Sequence, residues 1–97
     1  MLRVFKYSLQ IEDHTAMALP INSTILHVHE QKGCAWIWAL VDDEQKSKVM
    51  HRFRIAGTGH PLDSTEISAA TYLGSVHLDA GALVFHVWEL GKEAVRA

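Results

Sequence analysis

The run Ile25-Leu26-His27-Val28-His29-Glu30-Gln31-Lys32-Gly33-Cys34-Ala35-Trp36-Ile37-Trp38-Ala39-Leu40-Val41 decides the fold. Its first part alternates, with Ile25, His27 and His29 on one face and Leu26 and Val28 on the other, as a half-buried strand does. Lys32-Gly33 then supplies a two-residue turn between antiparallel strands. Cys34 to Val41 is apolar on both faces, so it is expected to lie centrally, covered on both sides. Trp36, Trp38 and Leu40 share one of those faces, and the reading makes them a wall of the core.

The pattern repeats outward in both directions. Arg3 to Leu9, Thr15 to Leu19, Val49 to Ile55, Tyr72 to Leu78 and Ala82 to Leu90 are short runs enriched in apolar, β-branched or aromatic residues. Thr15 to Leu19 stops at Pro20, where a strand commonly ends. Val49, His51, Phe53 and Ile55 alternate against Met50, Arg52 and Arg54. Asp79-Ala80-Gly81 is a turn in which Gly81 can take a positive φ. Gly57 to Glu66 reads as a longer loop, and no stretch of ten residues carries a 3.6-residue period. These features predict an all-β fold, a compact antiparallel β-sandwich or small barrel of about seven short strands.

Ninety-seven residues make one domain. The reading places it at residues 1–90, with 91–97 as a C-terminal tail. Nine basic against eleven acidic residues leave a net charge of −2. That balance offers no clustered Lys and Arg for direct nucleic-acid binding and no dense acidic surface for mimicry of DNA. The lone Cys34 can close no internal disulfide, so a reducing compartment is the natural setting. Charges interrupt the apolar residues of Met1 to Lys6, and the longest apolar run has eight residues, so neither a signal peptide nor a membrane span is read here. The expected localisation is cytoplasmic.

Seven histidines raise metal binding and proton chemistry as questions. His27 and His29 lie two apart on a strand and so point the same way, as two ligands of one metal would. They share a His-x-His with cupin barrels, but Glu30 follows at once and points to the opposite face, and no downstream segment completes that motif. Surface histidines without a metal are the plainer reading, and no metal or cofactor is assigned. His51 shares a face with Phe53, and His86 with Val84 and Trp88, which suggests histidines at the edge of the core; His77 is read as exposed. Cys34, beside Trp36, is read as inert packing.

The segment Gly57-Thr58-Gly59-His60-Pro61 is the candidate binding site. Two glycines let backbone N–H groups converge on an anion, Thr58 adds a hydroxyl and His60 a second donor. Arg52 and Arg54, on the outward face of the preceding strand, would add charge to such a site. Against it stands the plain reading of a turn, and no dinucleotide or P-loop fingerprint is present. No paired carboxylates and no Ser-His-Asp arrangement emerge, so no catalytic residues are assigned and the protein is not read as an enzyme.

Across nearly the whole chain, the runs Phe5 to Leu9, Ile25 to Val28, Trp38 to Asp42, Phe53 to Pro61, Tyr72 to Val76 and Gly81 to Glu89 resemble a family of small proteins of unknown function encoded by phages and prophages. The Gly57-Thr58-Gly59-His60-Pro61 block and the closing Gly81-Ala82-Leu83-Val84-Phe85-His86-Val87-Trp88-Glu89 block carry most of the likeness. The resemblance implies a non-enzymatic accessory protein of the host bacterial cytoplasm. It would inhibit a bacterial host or defence protein, such as a CRISPR–Cas component, by direct binding. A homo-oligomer that sequesters a nucleotide signalling molecule at the Gly57–Pro61 loop is the second expectation, and a His-ligated, cupin-like metal enzyme the third.

Overall fold

The central hairpin organises the computed structural model, which describes residues 1–94. Seven strands follow one another as β1 (Leu2–Ser8), β2 (His14–Pro20), β3 (Thr24–Gln31), β4 (Cys34–Asp42), β5 (Lys48–Gly57), β6 (Thr71–Leu78) and β7 (Leu83–Ala94). A short helix, α1 (Ser64–Ser68), lies between β5 and β6. All pairings are antiparallel, in two sheets ordered β1-β4-β3 and β2-β5-β7-β6. The architecture is therefore a sandwich of three and four strands rather than a closed barrel.

The β3–β4 turn is the one the sequence announces. Gln31 pairs with Cys34, and both loop residues take positive φ, 54° at Lys32 and 80° at Gly33. A two-residue turn of that hand matches the right-handed twist of its strands. The β6–β7 turn demands more than one glycine, because Asp79, Ala80 and Gly81 all have positive φ, at 50°, 52° and 89°.

Two face assignments differ from expectation. Pairing runs Ile25↔Ala39 and then His27↔Trp38, so Leu26 is an extra residue, a β-bulge that resets the alternation. Ile25 consequently packs inward with Val28, and of the three residues expected to share one face His27 and His29 alone turn outward. On β4 the buried residues are Ala35, Ile37, Ala39 and Val41, while Trp36, Trp38 and Leu40 lie half-buried on the outer face. The expected tryptophan wall is thus outside the core. The opposing sheet brings Phe53 and Leu19, fully buried, with Met17 beside them, so β4 meets it with an alanine at every second inward position.

Leu9, Val28, Ile37, Phe53, Ile55, Val76 and Val87 form the main core, continued by Leu19, Ala39 and Val41. The sheets approach most closely where β3 meets β6. A Cβ at Gly74 would stand 3.3 Å from a Val28 methyl, and Gly74 has φ 142°, so this position combines a close approach with a backbone that favours glycine.

Beyond a bulge at Leu90, β7 continues along β5, with Arg52↔Gly91 and Val49↔Ala94 paired. The strand therefore passes the boundary expected at residue 90. The end of the expected tail, 95–97, lies outside the described residues.

Candidate functional site

The Gly57–Pro61 turn leaves the end of β5 beside β7. The Thr58 amide donates to the Val84 carbonyl at 3.2 Å, and the His60 amide to the Gly57 carbonyl at 3.1 Å. Gly59 takes φ 87°, a value that glycine adopts without strain. Gly57 serves differently. A Cβ there would lie 2.9 Å from His60 Cε1, so the missing side chain is what lets the imidazole close over the strand end.

The six predicted site residues do not form one cluster. Gly57, Thr58, Gly59 and His60 share the turn, and Arg54 lies beneath it as a structural clamp. The Arg54 guanidinium donates to the Asp13 carbonyl at 3.2 Å, the Ile55 carbonyl at 2.5 Å and the Pro61 carbonyl at 3.4 Å. It also lies 3.6 Å from both the Asp13 and Glu66 carboxylates, with its side chain 11% exposed. These contacts join β5 to the β1–β2 connection, to the turn and to α1, so Arg54 is already committed. Arg52, two residues back on the same outward face, lines a separate hollow of about 420 Å³ with Glu12, His14 and Thr15.

The turn instead brings Thr58 to a histidine whose importance sequence reasoning missed. Thr58 Oγ1 is 2.8 Å from His86 Nε2, and Tyr72 Oη is 2.8 Å from His86 Nδ1. A neutral imidazole has one N–H and one acceptor nitrogen, so one hydroxyl donates and the other accepts. The Trp88 ring stands edge-on to Tyr72 at 5.2 Å and 6.1 Å from His86. Val84, His86 and Trp88 do share a face, as expected, but it is the outer one; Val87 fills the core. The available signal was the β6–β7 hairpin, whose register places Tyr72 across from Trp88. Beside this chain a hollow of about 360 Å³ is lined by Gly57, Thr58, His60 and residues 82–85.

His51 is buried and its Nδ1 bonds the Glu89 carboxylate at 2.7 Å, a polar contact inside the sandwich. His77 is exposed, as read. Cys34 is exposed at the start of β4 rather than packed.

The three-stranded sheet presents a second surface. Register puts Leu2, Val4 and Lys6 of β1, Trp36, Trp38 and Leu40 of β4, and His27 and His29 of β3 on its outer side. Lys6 Nζ lies 4.4 Å above the Trp36 ring, a cation–π contact. His27 and His29 stack at 5.6 Å, with His27 6.1 Å from Trp38. Among the described residues no third His, Cys, Asp or Glu joins the two histidines in a metal-holding group. Glu30 instead accepts from the Gly33 amide at 2.7 Å and braces the hairpin.

At one end of this face, Asp42, Asp43 and Glu44 gather round the Met1 ammonium at 3.0, 3.3 and 3.6 Å, and Arg3 bonds Asp43. The Glu44 backbone N–H, with the ammonium second, holds the Asp42 carboxyl below its ordinary range. Arg3 does the same for Asp43. The Asp42 hydrogen bond in turn raises the ammonium's pKa.

Among the described residues no helix is long and apolar enough to cross a membrane. A family model described as a domain of unknown function, DUF7352, matches residues 1–97. No curated protein and no solved structure matches the chain.

Proposed function

For a chain that belongs to the DUF7352 family, a family of unknown function, we propose a non-enzymatic protein that binds another protein through the outer face of β1-β4-β3. One observation carries this reading: both central tryptophans are turned away from the core and lie among Leu2, Val4, Leu40, Lys6, His27 and His29. Aromatic side chains framed by apolar and cationic neighbours are the usual anchors of protein interfaces. The carboxylate on this face, Asp42, lies at its end, held by the Met1 ammonium, whereas Lys6 stands over Trp36, so the apolar centre of the surface suits a partner that brings an acidic group against it. The phage and prophage resemblance supplies the setting: an accessory protein in the bacterial cytoplasm, inhibiting a host or defence protein such as a CRISPR–Cas component.

Sequestration of a nucleotide signal is the weaker reading. The phosphate grip it requires loses Arg54 to the clamp and would fall to Arg52 and His60, which border different hollows. The metal-enzyme reading has two stacked imidazoles and, among the described residues, no third ligand.

The test is affinity capture from host lysate with the wild type, Trp38→Ala, Lys6→Glu and His60→Ala. The docking reading expects one specific protein to be held by the wild type and His60→Ala, and lost by the two face variants. Retention by all four, or loss with His60→Ala alone, would move the site to another surface.

A further inference from the structure

β1 is an edge strand exposed on both faces. Leu2, Val4 and Phe5 are 65%, 54% and 44% exposed, and within the strand only Tyr7 is even half-buried. Phe5 points to the inner side, yet the four-stranded sheet ends at β2, which lies over β4, and leaves it uncovered. The Leu9 amide donates to the Ala35 carbonyl, and the Asp43 amide to the Met1 carbonyl. Odd-numbered residues therefore exchange bonds with β4, while Leu2, Val4, Lys6 and Ser8 turn their N–H and C=O groups to the open edge.

Natural proteins usually guard such an edge with charge, proline or a bulge. β1 contains neither proline nor bulge, and its charges point back across the sheet. Lys6 reaches Trp36 and Gln31, and Arg3 reaches Asp43.

We propose that this edge pairs with the same edge of a second copy of the chain, antiparallel about a two-fold axis at Phe5, to form one continuous six-stranded sheet. The strand is self-complementary in that register. Leu2 meets the partner's Ser8 and Val4 meets the partner's Lys6, so all four outward-turned residues on each copy form hydrogen-bonded pairs, about eight bonds in all. Phe5 meets the partner's Phe5 in a non-hydrogen-bonded pair, where side chains approach most closely, and each ring covers the other. Arg3 meets the partner's Tyr7. Inner residues face inner residues throughout, and no two like charges stand opposite.

The dimer does not rest on the docking reading, and the two fail in different variants. Analytical ultracentrifugation should give a concentration-dependent mass approaching twice 10.9 kDa. Val4→Pro removes an edge donor that β4 does not use, and is expected to leave a folded monomer by circular dichroism. In a Cys34→Ser background, Phe5→Cys should form an intermolecular disulfide on mild oxidation, because the Cα atoms of such a pair lie about 4.5 Å apart. Lys6→Cys, facing the partner's Val4, should not. A wild-type mass that stays at 10.9 kDa at every concentration overturns the proposal. So does a dimer that survives Val4→Pro, or one in which Phe5→Cys does not cross-link.

Discussion

Asp42 ends β4 and Asp43 follows it, and both hold the start of β1. Nothing local announces this, because Arg3 and Asp43 are 40 residues apart in the chain. The consequence is a defined pH window. Both carboxyls have folded-state pKa values lowered from 3.8, so their stabilisation is fully present above 3.8 and is lost as pH falls through the folded values. The Met1 ammonium is raised from 8.0, so its share is fully present below 8.0 and is lost as pH rises through its folded value. Urea midpoints of the wild type and an Asp42→Asn/Asp43→Asn variant should therefore differ most between pH 3.8 and 8.0 and converge in acid. Above 8.0 the difference should shrink only in part, since the Arg3–Asp43 pair remains. A pH-independent difference would show that the clamp contributes nothing electrostatic.

At the scale of elements, all seven strands were legible because period-two alternation and turn chemistry are local. α1 was not, since five residues are too few to show helical periodicity. What holds α1 is its cap, Asp63, whose carboxylate accepts from the Thr65 and Glu66 amides at 2.8 and 3.3 Å. Glu66 then bonds His14 on β2 at 3.0 Å and faces Arg54 on β5. Faces were harder to read than strands: β4 is apolar on both sides, so alternation cannot say which side is inner, and the Leu26 bulge reverses β3 partway. Arg54 was legible as outward-facing and misread as available, because its partners come from three separate segments. Arg54→Ala should cost about 1.5–3 kcal/mol, the range for hydrogen bonds involving a charged group. It should also speed amide exchange across residues 57–66 while leaving β3 and β4 protected. Arg54→Lys should recover little, because an ammonium cannot reproduce the fork. Unchanged exchange in that segment would remove Arg54 from its positioning role.

Over the whole molecule, the net charge of −2 says nothing of where the charges stand. On the outer face of β1-β4-β3 the Lys6 ammonium lies over Trp36, while Asp42, Asp43 and Glu44 are gathered at one end round Met1. On a docking face of this kind, the cation at the rim and the tryptophan at the centre act on different rate constants. A rim charge steers encounter, so Lys6→Glu should lower the association rate on the order of tenfold at low salt. Raising ionic strength from about 0.01 M to about 1 M shortens the screening length from about 30 Å to about 3 Å and should erase most of that difference. A central aromatic instead holds the complex together, so Trp38→Ala should raise the dissociation rate roughly 30-fold or more, the equivalent of the ~2 kcal/mol of a hot spot, at any salt concentration. Surface plasmon resonance against the captured protein separates the two effects. If Lys6→Glu slows association equally at both ionic strengths, the face does not steer by charge, and the partner's complementary acidity must be given up while the aromatic anchor stands.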